Sequence, residues 1–224
     1  MNTKKHHSYS KSSNKSSHKK SGFIRIIAGN WRGRKLPVHD VEGLRPTTDR
    51  VKETVFNWLM NKVDQSRCLD CFAGSGSLAF EALSRGAKSV TLIEKDKIAA
   101  KQIEQNLSLL NVNNAQLIKG DSLSFLQSLN AANESKYGGK ERDKEHKFDL
   151  VFIDPPFRQN LATPICQLLV ERQLLSPSAL IYIEIESELK DFVAPASWQQ
   201  LKEKTAGQVS FRLYQNNLHT LDTE

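Results

Sequence analysis

"RCLDCFAGSGSLAFEALSRGA", residues 67–87, runs a strand, a glycine turn and a helix together in one short stretch. Residues 67–72, "RCLDCF", read as a strand bounded by Gly74-Ser75-Gly76. From Ser77 to Ala87 the apolar residues recur at helical spacing, and Gly86 closes the segment. A strand that passes through glycines directly into a helix is the opening unit of a doubly wound α/β fold.

Outward from this unit the alternation continues. "SVTLIE", "AQLIKG", "FDLVFI" and "ALIYIEI" read as further strands, with helices starting near Ser77, Asp96, Asp121 and Asn160. Such alternation predicts a mostly parallel sheet with helices on both faces, a Rossmann-like arrangement. The C-terminal stretch "WQQLKEKTAGQVSFRLYQ" breaks the pattern: two strand-like runs around Ala206-Gly207 predict an antiparallel hairpin closing the sheet. Before the first unit, "FIRIIAGNWRGRKLPV" (23–38) reads as a β-hairpin with a basic face. "LRPTTDRVKETVFNWLM" (44–60) reads as a helix capped by Thr47 or Thr48, with Val51, Val55, Trp58 and Leu59 on one stripe. The expected organisation is a disordered basic tail over 1–22, a hairpin-and-helix extension over 23–62 and the main domain over 63–224. The polar stretch 130–147 is expected to be an exposed, mobile loop.

Charge is unevenly spread. The net +7 consists of six lysines and no acid in residues 1–22, then seven basic against three acidic residues over 23–52, and −3 from residue 53 onward. A cationic N-terminal end suits a polyanionic partner, while a tail of Ser and Lys also serves as plain solubilising sequence. No apolar run reaches membrane-spanning length and no signal-type segment opens the chain, so a cytoplasmic, monomeric protein without membrane contact is expected. Cys68 and Cys71 form a C-x-x-C, but no second Cys or His pair follows at ligand spacing. Their odd spacing on a strand sends them to opposite faces, as small buried hydrophobes, and no metal site is expected.

In an open parallel sheet, ligands bind beyond the carboxyl ends of the strands. After the first strand come Asp70, Phe72, Ala73, Gly74, Ser75 and Gly76, a turn that lets backbone approach a ligand and offers helix N–H groups to an anion. The pattern Gly74-x-Gly76-x-x-Ala79 also satisfies a dinucleotide fingerprint. After the second strand comes Glu94, placed to accept from both hydroxyls of a ribose. After the third come Asp121 and Ser122, within reach of an adenine edge. After the fourth comes Asp154-Pro155-Pro156-Phe157.

That last run is the decisive one. A residue before proline is pushed to extended geometry, so Asp154 projects from the strand tip. The prolines carry no N–H, leaving the Pro155 carbonyl as a second acceptor. Two acceptors beside the flat face of Phe157 suit the exocyclic amine of a nucleobase. A plain strand stop accounts for one proline and leaves the second, and the carboxylate, unexplained.

With these residues in view, "DPPF" resembles the [D/N/S]-P-P-[Y/F/W] motif of amino-group methyltransferases that use S-adenosylmethionine, and residues 69–87 look like their cofactor loop. "RIIAGNWRGRKLPV", "GLRPTTDRVKETVFNWL" and "AGQVSFRLYQ" are similar to the D-type family of bacterial small-subunit (16S) ribosomal RNA guanine-N2 methyltransferases. The likeness covers about residues 24 to 216 and departs from the family in the Ser/Lys tail and the 130–147 stretch. It implies methyl transfer from S-adenosylmethionine to a guanine N2 amine in ribosomal RNA or the small ribosomal subunit. It places Asp154, Pro155, Pro156 and Phe157 at the amine. The methionine end falls to Asp70 and residues 72–76, with Pro46 and Thr47 closing over it; Glu94 takes the ribose, Asp121 and Ser122 the adenine. Arg32, Arg34, Lys35, Arg45 and Arg50 would meet RNA phosphates. Rival readings are a DNA adenine-N6 or cytosine-N4 methyltransferase, a nicotinamide dehydrogenase, which leaves DPPF unused, and an RNA-binding module, which leaves Glu94 and the glycine loop unused.

Overall fold

A computed structural model describes residues 22–38, 48–129, 147–189 and 192–217. Two strands, β1 (Gly22–Arg25) and β2 (Lys35–Val38), pair antiparallel as a separate small sheet, followed by helix α1 (Asp49–Trp58). The main sheet comprises β3 (Arg67–Asp70), β4 (Ser89–Glu94), β5 (Ala115–Lys119), β6 (Phe148–Ile153), β7 (Leu175–Glu186), β8 (Trp198–Ala206) and β9 (Val209–Asn216). Its order is β5-β4-β3-β6-β7-β9-β8, and β3 pairs in parallel with both β4 and β6. Helices α2 (Ser77–Ser84), α3 (Lys97–Leu109), α4 (Ser122–Ser128) and α5 (Ala162–Glu171) connect the parallel strands. The strand order reverses at β3, the switch point beyond which a doubly wound sheet binds its ligand.

The predicted C-terminal hairpin is present, with its last strand inserted between β7 and β8 and antiparallel to both. The outer strand β8 is exposed from Gln199 onward, and Lys202, Glu203 and Lys204 blunt that edge against further pairing. Two elements depart from the sequence reading. Helix α5 begins at Ala162 rather than near Asn160, because Arg158 and Asn160 stand at φ 61° and 51°, outside helical geometry. Strand β7 is longer than "ALIYIEI", starting at Leu175, with a register shift against β6 between Phe148 and Leu150.

Period-two alternation divides the core. Cys68, Val90, Leu92, Leu150, Phe152, Leu180 and Tyr182 pack on one face against α1, α2, α3 and the small hairpin. Leu69, Ile93, Val151, Ile153, Ile181 and Ile183 pack on the other against α4 and α5. Cys71 joins the second cluster while Cys68 lies in the first, so the two thiols face opposite sides; both are free and buried, and desolvation pushes Cys68 up to about 12. The N-terminal extension shares the first core: Ile24, Ile26, Leu36, Val38, Val55, Phe56 and Leu59 are all buried within it. On α1, Thr48 is the cap, accepting from Val51 N–H, and Lys52 is buried with its ammonium donating to the Arg25 carbonyl.

Helix α2 clamps the turn of that extension, while Asn106 of α3 donates to the Pro37 carbonyl of β2 at 3.0 Å. Glu81 of α2 is fully buried, and its carboxylate accepts from Ile27 N–H at 2.8 Å, Ala28 N–H at 3.0 Å and Arg85 Nε at 2.8 Å. One turn on, the Ser84 carbonyl accepts from Asn30 N–H at 2.7 Å, and its hydroxyl accepts from Trp31 N–H at 2.9 Å and donates to the Ala28 carbonyl at 2.6 Å. Gly29 permits the contact: at φ 78°, a Cβ there would stand 1.9 Å from the Ser84 carbonyl oxygen. Glu81→Ala leaves two backbone donors and a guanidinium without their acceptor, so denaturant unfolding should show a loss of about 3 kcal/mol. Amide exchange at Ile27 and Ala28 should rise more than exchange in the main sheet, and an unchanged pattern would refute the anchoring role.

Candidate active site

Four carboxylates stand at the carboxyl ends of four adjacent strands, and strand periodicity puts them there. Asp70 lies two residues past Cys68, Glu94 two past Leu92, Asp154 two past Phe152 and Glu184 two past Tyr182. Each of those predecessors packs in the core of the same face. Two residues along a strand return to one side, so the acids form a row on the side of α1 and the hairpin. The order β4-β3-β6-β7 makes that row Glu94, Asp70, Asp154, Glu184.

Each acid is held differently. The Glu94 Oε2 accepts from Gly74 N–H and its Oε1 from Asp96 N–H, both at 2.6 Å. The carboxylate thereby ties the glycine loop to the start of α3, and each oxygen keeps a second lone pair for a ligand hydroxyl. Burial raises its pKa, opposed by those two N–H donors and, more weakly, by that of Lys95. Asp70 is buried, and desolvation pushes it up to about 7. The Phe72 N–H acts in the opposite direction, and the charge of Glu94 adds to the rise. Asp154 keeps some accessible surface, yet desolvation holds it well above the usual carboxylate range, with Glu184 and Asp70 adding like-charge repulsion. No described residue donates a hydrogen bond to its carboxyl. The row is thus short of positive charge and donors.

The surrounding residues frame this row. Gly74 and Gly76 take φ 53° and 77°, and a Cβ on Gly76 would stand 2.6 Å from Phe80 Cε2, so only glycine fits that turn. The loop hangs from the sheet: Cys71 N–H donates to the Phe152 carbonyl and Ala73 N–H to that of Ile93. Phe72 and Ser75 are half-buried in it. Ser77 opens α2 with a buried hydroxyl that has no partner among the described residues. Asp121 caps α4, its Oδ1 accepting from Ser124 N–H at 3.1 Å, and its Oδ2 lies 3.4 Å from Lys95 Nζ. Those contacts lower its pKa. The Ser122 hydroxyl is buried and donates to the Cys71 carbonyl, so it braces the loop. Pro155 is buried, Pro156 is exposed, and Phe157 keeps 40% of its surface accessible. The loop after it is pinned where Arg158 N–H donates to the Glu186 carboxylate.

The structure therefore brings Asp70, residues 72–76, Glu94, Asp121, Ser122 and residues 154–157 to one end of the sheet. Arg32, Arg34 and Lys35 are exposed on the hairpin, Lys35 lying over the Phe23 ring at 4.4 Å, and Arg50 is exposed on α1. Arg45, Pro46 and Thr47 lie outside the described residues, as do most of the 130–147 stretch and the tail. Glu184 and Tyr182 were not singled out in the sequence. The signal that marks them is an acid two positions past an aromatic in an otherwise apolar strand, "LIYIEI". Among the described residues no cluster of His, Cys, Asp and Glu is arranged to hold a metal ion, and no helix is long and apolar enough to cross a membrane.

The fold defines the class: a mostly parallel seven-stranded sheet with an antiparallel C-terminal hairpin is that of the Rossmann-like S-adenosylmethionine-dependent methyltransferases. The family model described as "Conserved hypothetical protein 95" matches residues 24–215. The chain is 54% identical over 197 residues to ribosomal RNA small subunit methyltransferase D of Haemophilus influenzae, covering 87% of this chain and 95% of that protein. To the protein of the same name from Escherichia coli K12 it is 47% identical over 201 residues, covering 90% and 94%. The solved Escherichia coli protein yhhF superposes with a TM-score of 0.76 at 44% identity, covering 88% of this chain and 99% of that one. The chain belongs to the family of the ribosomal RNA small subunit methyltransferase D proteins.

The Asp70 shift has a definite sign. Between its ordinary value of 3.8 and about 7, the folded ligand-free protein holds a proton on Asp70 that the unfolded chain has released. Its stabilising share is therefore complete at low pH and is lost as pH rises through that window. Asp154 and Glu184 act in the same direction, so Asp70→Asn should flatten only part of the slope in unfolding free energy against pH. A cationic ligand needs the ionised form, so its affinity should climb as pH passes through about 7 and level off above, readable by calorimetry. Affinity independent of pH across that range would remove Asp70 from contact with the charge.

Proposed function

We propose that the protein transfers a methyl group from S-adenosylmethionine to the exocyclic N2 amine of a guanine in small-subunit ribosomal RNA. The observation that carries this reading is Asp154 at the tip of β6: a desolvated carboxylate without a donor among the described residues, next to the Pro155 carbonyl and the exposed ring of Phe157. The names of the H. influenzae and E. coli relatives support the substrate class.

The residues present fit the cofactor. Asp70 would meet the ammonium of its methionine portion, and the positive charge offsets the repulsion within the acidic row. The backbone of residues 72–76 would lie along that portion, with Pro46 and Thr47 over it. Glu94 would accept from the ribose hydroxyls with the lone pairs left free by Gly74 and Asp96 N–H. Asp121 would reach the adenine edge through Oδ2, while Ser122 acts by bracing Cys71. Once bound, the cofactor supplies an electrophilic methyl on a sulfonium, so no strong base is required of the protein.

What remains for the protein is orientation. A guanine N2 lone pair is delocalised into the ring, which makes the amine a poor nucleophile. Asp154 and the Pro155 carbonyl accept from its two N–H groups, hold it in line and favour pyramidalisation. Phe157 stacks on the base, which has to leave its helix stack to reach the strand ends. The proton, acidic only after transfer, passes to Asp154 or to water. Arg32, Arg34, Lys35, Arg45 and Arg50 would contact phosphates along the N-terminal side of the cleft.

Asp154→Ala should slow single-turnover methyl transfer on the order of 100-fold or more, with cofactor affinity nearly unchanged, because the lost acceptor faces the amine. Mass mapping of ribosomal RNA from cells with and without the gene identifies the product; a methyl group missing from a position other than a guanine N2 would end the reading. Neutralising Arg32, Arg34 and Lys35 together should lower the slope of log affinity against log salt by about 2, given roughly 0.7 for each single-stranded phosphate contact. A triple variant with wild-type salt dependence would put the RNA path elsewhere.

A further inference from the structure

We propose that Glu184 reads the target base, its free carboxylate oxygen accepting from the N1–H of guanine while Asp154 accepts from the N2 amine. The inference deepens the function proposed above and rests on it. Glu184 is 8% exposed, on the strand next to Asp154, one position past the Ile153–Ile183 pair of the β6–β7 ladder. Its Oε1 accepts from the Tyr182 hydroxyl at 2.7 Å, and its Oε2 has no hydrogen-bond partner among the described residues. That oxygen keeps contact with the surface rather than being sealed in the core, so a ligand donor can reach it. The exposed ring of Phe157 and the carboxyl of Asp154 mark the kind of ligand that would, a flat base with N–H groups on one edge.

Tyr182 fixes where the Glu184 carboxyl points. Burial raises the Glu184 pKa and the donated hydroxyl opposes that rise only in part, while the bond to Oε1 leaves Oε2 turned to the ligand side. Tyr182 is itself fixed: its ring meets Phe152 edge-on at 6.4 Å, and Phe152 meets Phe56 of α1 at 6.0 Å. The carboxylate is thus held on a packed aromatic row rather than on a loop.

Two adjacent acceptors discriminate among bases. Guanine places N1–H beside its N2 amine, so donors stand side by side and match both carboxylates. Adenine and cytosine place a ring-nitrogen lone pair beside their amine, which would face the Glu184 oxygen with repulsion and leave it unpaired. A site built to pair a hydrogen-bonding group rejects the analogue that lacks it far more strongly than a missing methylene.

The test compares RNA carrying the mapped target nucleotide as guanosine with RNA carrying 2-aminopurine there, which keeps the N2 amine and replaces N1–H with a lone pair. Each RNA is presented in the fragment or particle that the wild-type protein accepts, and single-turnover rates are read. Wild type should favour guanosine on the order of 100-fold, and Glu184→Gln, whose amide can donate to that lone pair, should narrow the ratio to a few-fold with cofactor affinity retained. Because the change in ratio is read, the missing O6 of 2-aminopurine affects both proteins alike. If Glu184→Gln slows both RNAs by the same factor, Glu184 is structural and the inference is overturned. Tyr182→Phe, which keeps the carboxylate but frees it, should give an intermediate ratio; a wild-type ratio there would count equally against the inference. Wild type that methylates neither N2 amine but another atom would instead sink the N2 assignment, and this inference with it.

Discussion

Like charge at the strand ends is the constraint to which the rest of the molecule answers. Glu94, Asp70, Asp154 and Glu184 stand on adjacent strands of one sheet face, and desolvation raises the pKa of each. A carboxylate only accepts hydrogen bonds while ionised, so the row selects ligands that bring donors or positive charge. Backbone N–H groups of the glycine loop and of α3 satisfy Glu94, and a tyrosine hydroxyl satisfies half of Glu184. Phe72 N–H acts on Asp70, while Asp154 has no donor among the described residues and remains for what binds. A sulfonium cofactor with an ammonium group, and a base presenting an amine, are the complementary chemistry.

The supports of this row are apolar and remote. Phe152 and Tyr182 precede two of the acids by one pleat, and Phe56 of α1 packs on Phe152. The N-terminal extension is therefore continuous with the floor of the site, and Glu81 and Ser84 of α2 clamp its turn in place. One helix carries the glycine loop at its start and the clamp at its end. This couples the element that would hold the cofactor to the element that presents Arg32, Arg34 and Lys35.

Much of this was legible in the chain. The glycine turn after "RCLDCF" and the alternation that follows specify a doubly wound sheet because each strand needs cover on both faces. Asp96 and Asp121 were legible as helix starts, since a carboxylate that accepts from the first turn's N–H groups is a local device. Helix α5 was misplaced by two residues because left-handed backbone at Arg158 and Asn160 has no strong local signature in non-glycine residues. Asp70, Glu94 and Asp154 were legible as strand-end acids because each closes or directly follows a strand. Glu184 was not, because β7 runs on past it and no turn advertises its position.

By itself, then, the sequence determined everything carried by neighbours along the chain: strand and helix periods, glycine turns, caps, and the acceptor character of Asp154-Pro155-Pro156-Phe157. Tertiary structure alone decided which of those ends stand side by side. The order β4-β3-β6-β7 sets Glu94, Asp70, Asp154 and Glu184 in one row, and long-range packing buries Glu81 under a turn more than fifty residues earlier. The physical reason is that desolvation and like-charge repulsion act through space between strands distant in sequence, so a carboxylate's chemistry is set by neighbours that only folding supplies.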